Sequence, residues 1–377
     1  MSQKINVAIV GLGFGAEFIP IYQRHPNANM YAICQRTESH LNEVGDQLGV
    51  DVRYTDYEEL LKDDQVDAVH INTPIDLHAP QSLAALRAGK HVASTVPMAT
   101  TVEECVDLVK AQEESGKKYM MMETTVYTRE FLYVKDLHLG GELGRIQFLR
   151  AAHHQEMAAG NWPSYWLGFP PMHYATHCVG PILGLAGKEA EAVCCLGSGR
   201  IAKDLAAKYG SPFAVETSHI KMKDSDLAAE MSRSLYNTAR EYIESFDVYG
   251  SKATFEWTQI ETEEPLVFYG EDAKRVKVPD YAHLLPEPIQ VFTTGGVYDL
   301  EGEQHMSFTQ GGGHGGSHPH LADEFLMSIV EDRDPFPNAA LSANWTCTGI
   351  CSHESAMKGG EWIAVPSFGG PSPSLAA

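Results

Sequence analysis

With 377 residues the chain is too long for one ordinary core, so two domains are expected. Its 44% hydrophobic and 21% charged residues are those of a soluble globular protein, and a formal net charge of −22 speaks against nucleic acid or an anionic membrane surface as a partner. No apolar run is long enough to span a bilayer, and the opening Met1 to Lys4 does not read as a secretory signal. The seven cysteines (Cys34, Cys105, Cys178, Cys194, Cys195, Cys347 and Cys351) are an odd set without framework spacing, which points to reduced thiols in the cytoplasm.

Ile5 to Val10 reads as a strand buried on both faces, as in a parallel sheet. It breaks into Gly11, Gly13 and Gly15, with Phe14 and Ala16 among them. Glycines at this spacing let the backbone turn tightly and approach a pyrophosphate, and a helix opening behind them presents N–H groups to the anion. Met30 to Cys34 is a second strand, about twenty residues past the loop, where a carboxylate usually holds the adenosine ribose. Gln35 and Arg36 stand there instead. Gln35 can hydrogen-bond a ribose hydroxyl, and Arg36 can stack on adenine or pair with a 2′-phosphate, so NAD and NADP both stay open at this position.

Leu41 to Leu48 and Tyr57 to Leu61, the latter behind Asp56, read as helices. Val66 to Asn72 is a strand ending in Thr73 and Pro74, and His78 opens the next helix. His91 to Ser94 is a strand, followed by the Thr95-Val96-Pro97 turn, a helix from Thr101 or Val102 to Ser115, and a strand from Tyr119 to Met122. This alternation predicts an α/β, doubly wound nucleotide domain with ligands at its strand ends.

Gly11-x-Gly13-x-x-Ala16, Thr73-Pro74 with His78, Ala88 to Val92, and Pro97 with Ala99 together resemble the glucose–fructose oxidoreductase/inositol dehydrogenase (Gfo/Idh/MocA) family. The resemblance implies an N-terminal Rossmann domain over residues 1–124. It also implies a C-terminal α+β domain over 125–377, whose open, mainly antiparallel sheet builds a homodimer or homotetramer. Two departures narrow it. The family's Glu-Lys-Pro turn, whose lysine assists proton removal from the substrate hydroxyl, reads Thr95-Val96-Pro97, and valine cannot carry a proton. The later Asp-x-x-x-His pair reads His173-x-x-x-His177. The family's NAD-dependent retaining glycosidases, typified by the α-N-acetylgalactosaminidases, are similar at Val96-Pro97, at Met120-Met121-x-Glu123 with Tyr127, at Tyr174-x-Thr176-His177-x-x-Gly180-Pro181, and at Gly313-His314-Gly315-Gly316. Cofactor contacts are thus expected at Gly11, Gly13, Phe14, Gly15, Gln35, Arg36, Thr73, Pro74, His78, Thr95, Val96, Pro97 and Glu123.

In the second domain a helix ends across Leu137 to Arg145 and a strand runs from Ile146 to Ala152, with His153, His154, Gln155 and Glu156 at its end. Trp162, Tyr165 and Trp166 offer rings with polar edges, suited to a pyranose platform or to a packing cluster. Ala192 to Gly197, His219 to Met222, Asp247 to Gly250 and Ala253 to Trp257 have strand character, Asn237 to Tyr242 reads as a loop or hairpin, and Gly311 to His320 as a flexible loop. Helices follow to Val330 and around Trp345 to Met357. His173 and His177 share a face if helical, but two imidazoles need further ligands. No cysteine or carboxylate motif supplies them, and His314, His318 and His320 sit in a glycine-rich segment suited to closing, so no metal is expected. Core histidines satisfied by hydrogen bonds are the other reading.

The glycosidase resemblance implies oxidation at sugar carbon 3, elimination across carbons 2 and 1, water addition and re-reduction. NAD is then regenerated in each turnover, which favours tightly held NAD without excluding NADP. His177, Tyr174, His173 and Tyr127 are the expected catalytic residues, His177 because its pKa of about 6.5 suits proton exchange near neutral pH. Arg129, His153, His154, Trp162, Tyr165, Arg240 and His314 are expected at the substrate. Arg129, Arg150, His153, His154 and Arg240, if they converge, suit an anionic sugar such as a sulfoquinovoside. The alternatives are an NAD(P)-dependent pyranose or inositol dehydrogenase and an inactive dinucleotide sensor.

Overall fold

The structure, a computed structural model, describes residues 4–157, 163–240, 242–260, 263–294 and 313–369. The chain divides into two units, Met1–Tyr127 with Asp280–Ala343 and Thr128–Pro279 with Asn344–Ala377.

In the first unit β1 (Ile5–Val10), apolar and covered on both faces from Val7 onward, takes the middle of a six-stranded parallel sheet. It alternates with α1 (Ile19–Arg24), β2 (Ala28–Cys34), α2 (Glu38–Leu48), β3 (Val52–Tyr54), α3 (Tyr57–Leu61), β4 (Ala68–Ile71), α4 (His78–Arg87), β5 (His91–Ser94), α5 (Val102–Ser115) and β6 (Tyr119–Met121). The strand order β3-β2-β1-β4-β5-β6 is that of a doubly wound sheet. Its switch point lies between β1 and β4, whose ends carry Gly11 and Asn72. Asp56 accepts from the N–H groups of Glu58 and Glu59 to start α3, and Thr101 with Glu104 forms a capping box on α5. The edge strand β3 is three half-buried residues, too short for alternation to register in the sequence.

One local expectation is corrected. Behind the glycines a 3₁₀ turn, Phe14–Phe18, precedes the six-residue α1. Pro20 has no N–H to give to the carbonyl of Ala16, so a continuous α-helix from the loop would be broken there.

The second unit opens with α6 (Arg129–Leu139), β7 (Ile146–Gln155), α7 (Thr176–Ala186), β8 (Ala190–Ser198), α8 (Lys203–Tyr209) and β9 (Val215–Met222). Next come β10 (Ala228–Ser234), β11 (Tyr242–Gly250), β12 (Thr254–Glu256), β13 (Leu266–Tyr269) and β14 (Asp272–Arg275). Later in the chain α9 (Gly313–Val330) belongs to the first unit, α10 (Ala339–Met357) carries the chain across the division, and β15 (Ile363–Ala364) pairs with β8. The second sheet has the order β14-β13-β12-β11-β7-β10-β9-β8-β15, antiparallel except for the parallel β7–β10 pair. β7 runs three residues beyond its expected end, so His153 and His154 lie within the sheet on opposite faces. β11 likewise begins at Tyr242, where a loop was expected.

The domain expectation also changes. Leu285, Ile289 and Phe292, with Leu321, Phe325 and Leu326 of α9, pack into the same core as Val7, Ile9, Phe18 and Tyr22. Each such side chain contributes roughly 1.5–3 kcal/mol on burial, so Asp280–Ala343 completes the first core and does not belong to a single domain over 125–377. The first boundary falls at Tyr127, three residues from the expected one. No described helix is long and apolar enough to cross a membrane.

Candidate active site

The first unit builds a surface for a dinucleotide at the ends of β1, β4 and β5. Gly11 turns with φ +87°, and a Cβ there would stand 2.6 Å from the Asn72 carbonyl oxygen. Gly15 is also closely packed, its Cβ position lying 2.9 Å from the Ile9 side chain. Gly13 differs, because a Cβ there would meet nothing within 4 Å. Space left open over a glycine backbone is what a phosphate in contact with the chain requires. Gln35 is half-buried and Arg36 exposed at the end of β2. His78 lies between the Thr73 and Pro97 carbonyl oxygens, 2.8 Å from each, and ties the two turns together. Burial lowers its pKa, so the neutral ring donates to one carbonyl at a time. The Thr95 hydroxyl donates to the Ile71 carbonyl oxygen at 2.7 Å, Val96 is buried, and Glu123 accepts from the Thr125 hydroxyl at 2.5 Å.

Gly11→Ala should therefore cost roughly 2–4 kcal/mol, from the positive φ and the backbone clash together. Gly13→Ala should unfold like wild type but bind dinucleotide about tenfold more weakly. Denaturant melts beside a fluorescence titration check the pair. Equal losses of stability in both would refute the assignment of Gly13 to the ligand.

Sequence reasoning missed a polar group behind this loop. Glu17, in the 3₁₀ turn, is buried and lies 3.1 Å from His318 Nδ1, and His318 Nε2 lies 3.0 Å from His314 Nδ1. Burial raises the Glu17 pKa, with His318 opposing. His314 and His318 both pack edge-on against Phe14. His314 and Phe14 thus belong to one cluster of the first unit. Gly311 and Gly312 lie outside the described residues; from Gly313 the chain passes through positive φ at His314, Gly315 and Gly316 into the helix proper.

In the second unit the face of the sheet covered by α7 gathers a different set. His177, in the first turn of α7, presents Nε2 to the Tyr174 hydroxyl at 3.1 Å and Nδ1 to Glu244 Oε1 at 3.7 Å. His153 Nε2 is 3.8 Å from the same oxygen, and its ring meets that of His177 edge-on at 4.8 Å. The Tyr242 hydroxyl also donates to Glu244 Oε1. Burial, then the Glu244 charge, holds the Tyr242 pKa well above the usual phenol range. Glu130 in α6 is pushed up to about 7, mainly by burial, and Glu244 adds to the push. Arg233, fully buried, donates to the carbonyl oxygens of Tyr174, His153 and Ser234 and to Gln155 Oε1. Its guanidinium also lies 5.0 Å from the Tyr174 ring centre, and Trp166 packs against the same ring at 4.6 Å. Glu244 and Arg233 were not expected from sequence. The signal available for Glu244 was an acid among Tyr242, Phe246 and Val248, alternate positions on one face of a strand.

Other expectations are redistributed. His173 lies in a 3₁₀ turn, not on the His177 helix, and faces His353 at 5.0 Å, which in turn is 2.7 Å from Glu216. Burial pulls the His173 pKa down to about 3, so it packs as a neutral ring and is not a proton carrier at neutral pH. Tyr127 is in the first unit, where its hydroxyl donates to the Phe336 carbonyl oxygen at 2.7 Å and burial holds its pKa far above 10. The expected cation cluster divides. Arg150, His154 and Arg240 line a cavity of about 490 Å³ on the opposite face of the sheet from His153. Arg150 is there paired with Asp247 at 2.6 Å, and burial lowers the His154 pKa to about 4. Arg129 begins α6, and Tyr165 is half-buried beside Trp166. Trp162 lies outside the described residues.

Topology and glycine loop together define the first unit as a dinucleotide-binding Rossmann domain. Residues 5–123 match the oxidoreductase family Gfo/Idh/MocA, NAD-binding Rossmann fold, so the chain carries the NAD-binding domain of that family. Among curated proteins it is similar to a glycosyl hydrolase family 109 protein of a Shewanella species, 28% identical over 257 residues, 62% of this chain and 56% of that protein. It is also similar to an α-N-acetylgalactosaminidase of Shewanella oneidensis, 27% identical over 257 residues with the same shares. The chain spans about half the length of the curated relatives it matches. Among solved structures, an NAD-binding oxidoreductase from Klebsiella pneumoniae has a TM-score of 0.79 at 20% identity, covering 97% of this chain and 100% of that one. Levoglucosan dehydrogenase in complex with NADH and levoglucosan gives 0.79 at 21% with the same coverage. At these identities the likeness establishes the fold.

Proposed function

We propose that this chain is an NAD-dependent glycoside hydrolase acting by oxidation, elimination, hydration and re-reduction of the sugar. The observation that carries the reading is the Tyr174–His177–Glu244 row, half-buried at Tyr174 and buried at His177 and Glu244, a set of proton-transfer groups in a chain whose turn after β5 holds Val96 and no lysine. Gly13 and the His78-linked turns would hold the dinucleotide, which would supply a hydride acceptor and donor for sugar carbon 3, the proton of the carbon 3 hydroxyl passing to solvent as the ketone forms and returning on re-reduction. His177 Nε2 takes up the Tyr174 hydroxyl proton, and the nearby Glu244 carboxylate favours the imidazolium that results. Tyr174, so activated, removes the proton on carbon 2 that the carbon 3 ketone has acidified. The carbon 1 bond to the leaving group then breaks by elimination, the departing oxygen taking the proton held on His177, and water adds its hydroxyl to carbon 1 and its proton to carbon 2. The glycosidase relatives support this reading over net oxidation.

The substrate class is a pyranoside, and the chain acts in an assembly of like subunits in the cytoplasm. A sulfoquinovoside remains the anionic candidate, although Arg150, His154 and Arg240 on the far face of the sheet do not favour charge over a neutral acetamido sugar.

Hydrolysis of nitrophenyl glycosides in heavy water tests the reading. The released sugar should carry deuterium at carbon 2, with many turnovers on trace NAD and no accumulating NADH. Sugar without the label points to direct displacement at carbon 1, and a ketone with rising absorbance at 340 nm to a dehydrogenase; either removes the proposal. Comparing N-acetylgalactosaminides with sulfoquinovosides decides the charge of the sugar.

A further inference from the structure

Three metal-ligating atoms meet on the covered face of the second sheet. His153 on β7 and Glu244 on β11 are direct cross-strand partners, so both side chains leave the sheet side by side on one face. α7 packs on that face and brings His177 down onto the pair. His153 Nε2 and His177 Nδ1 lie 3.8 and 3.7 Å from one and the same oxygen of Glu244, and the three ligand atoms fall within 4.8 Å of one another. Two of these separations are too long for hydrogen bonds and near what a shared ion imposes. Atoms about 2.0–2.1 Å from a zinc ion at tetrahedral or trigonal angles stand roughly 3.3–3.6 Å apart. Movements of a few tenths of an ångström bring both imidazole nitrogens to that distance from Glu244, and the remaining separation closes by about 1 Å as the rings turn.

The surroundings match. All three residues are buried, at 0%, 3% and 3% exposure. The Tyr174 hydroxyl sits 3.1 Å from His177 Nε2, the nitrogen an ion on Nδ1 leaves to the protein, and Tyr242 donates to Glu244; such outer partners fix ligand orientation. Arg233, the buried cation of the same face, gives four of its five N–H donors to other oxygens.

We propose that His153, His177 and Glu244 bind one divalent ion of the zinc class through His153 Nε2, His177 Nδ1 and Glu244 Oε1. Two imidazoles and a carboxylate are a zinc or iron(II) donor set, and three protein ligands leave a position for water or a substrate oxygen. The sequence hid the site because its ligands come from three separate elements, whereas His173, the neighbour suggested by spacing, faces elsewhere. The inference goes beyond the glycosidase reading and does not depend on it. With the ion on Nδ1, His177 Nε2 keeps its proton and donates to the Tyr174 oxygen, a hydrogen bond that favours the phenolate; in the ion-bound form the Tyr174 proton is lost to solvent and is not taken up by His177.

The full chain, stripped with a chelator, is titrated with Zn²⁺ alone and with Co²⁺ alone. One equivalent should bind with micromolar or tighter affinity, and cobalt should give the visible bands of a four- or five-coordinate site. Glu244→Gln and His153→Gln should each weaken binding about 100-fold or abolish it, with the denaturant midpoint of the second unit, read at Trp257, retained as evidence that this unit has folded. Glu244→Asp, which keeps the carboxylate, should retain an ion with a shifted cobalt spectrum. Wild-type protein without a stoichiometric ion, or binding that survives both Gln substitutions, overturns the site. Ion content and spectrum read the metal independently of the carbon 2 label, so either proposal can fail alone.

Discussion

Tyr174→Phe should lower kcat by about 10²–10⁴-fold while KM changes little, because the substitution removes one hydroxyl from a packed ring and leaves the pocket's shape. Trp166 and Arg233 still hold the ring, so a loss of that size reports chemistry and not collapse. His177→Ala should lose at least as much. The double variant should fall no further than the worse single one, since the two groups handle one proton in sequence. Exchange of the carbon 2 hydrogen with solvent, followed by NMR, separates the cases. If Tyr174→Phe exchanges carbon 2 at the wild-type rate, Tyr174 is not the base. A rise in KM with kcat unchanged would place it in binding.

Arg233→Met should destabilise the second unit by roughly 3–5 kcal/mol. Four buried oxygens, the carbonyls of Tyr174, His153 and Ser234 and the amide of Gln155, lose their donor at once. Each buried acceptor left unmet costs about 1–3 kcal/mol before the neighbours relax. Lysine recovers little of this, since a single ammonium cannot reproduce the planar fork that reaches all four. Denaturant unfolding should then resolve into two transitions, the second-unit probe Trp257 shifting to lower midpoint while dinucleotide binding by the first unit persists. A shift of less than about 1 kcal/mol would mean that water replaces the guanidinium.

The Rossmann half was legible because its signals are local. An apolar run ending in glycines, caps at Asp56 and Thr101, and strands separated by short helices specify themselves within a few dozen residues. The pair Tyr174 and His177 was legible for the same reason, three positions apart where a 3₁₀ turn runs into α7. Where the sequence reading failed, it failed on partners far along the chain. Nothing near residue 124 says that Leu321 and Phe325 return to cover Ile9; only the vacancy in the first core decides it.

The chemistry of the second unit is decided in the same way. Two adjacent histidines look equivalent as a sequence, but the pleat sends His153 to the buried face and His154 to the open one. Register then sets Glu244 opposite His153 and Arg233 beside it, across separations of 91 and 80 residues. By itself the sequence determined a dinucleotide-binding domain and set Tyr174 three residues from His177. Tertiary structure alone chose the acid, the buried arginine and the third imidazole around that pair, because strand pairing and helix packing bring together groups that no local spacing relates.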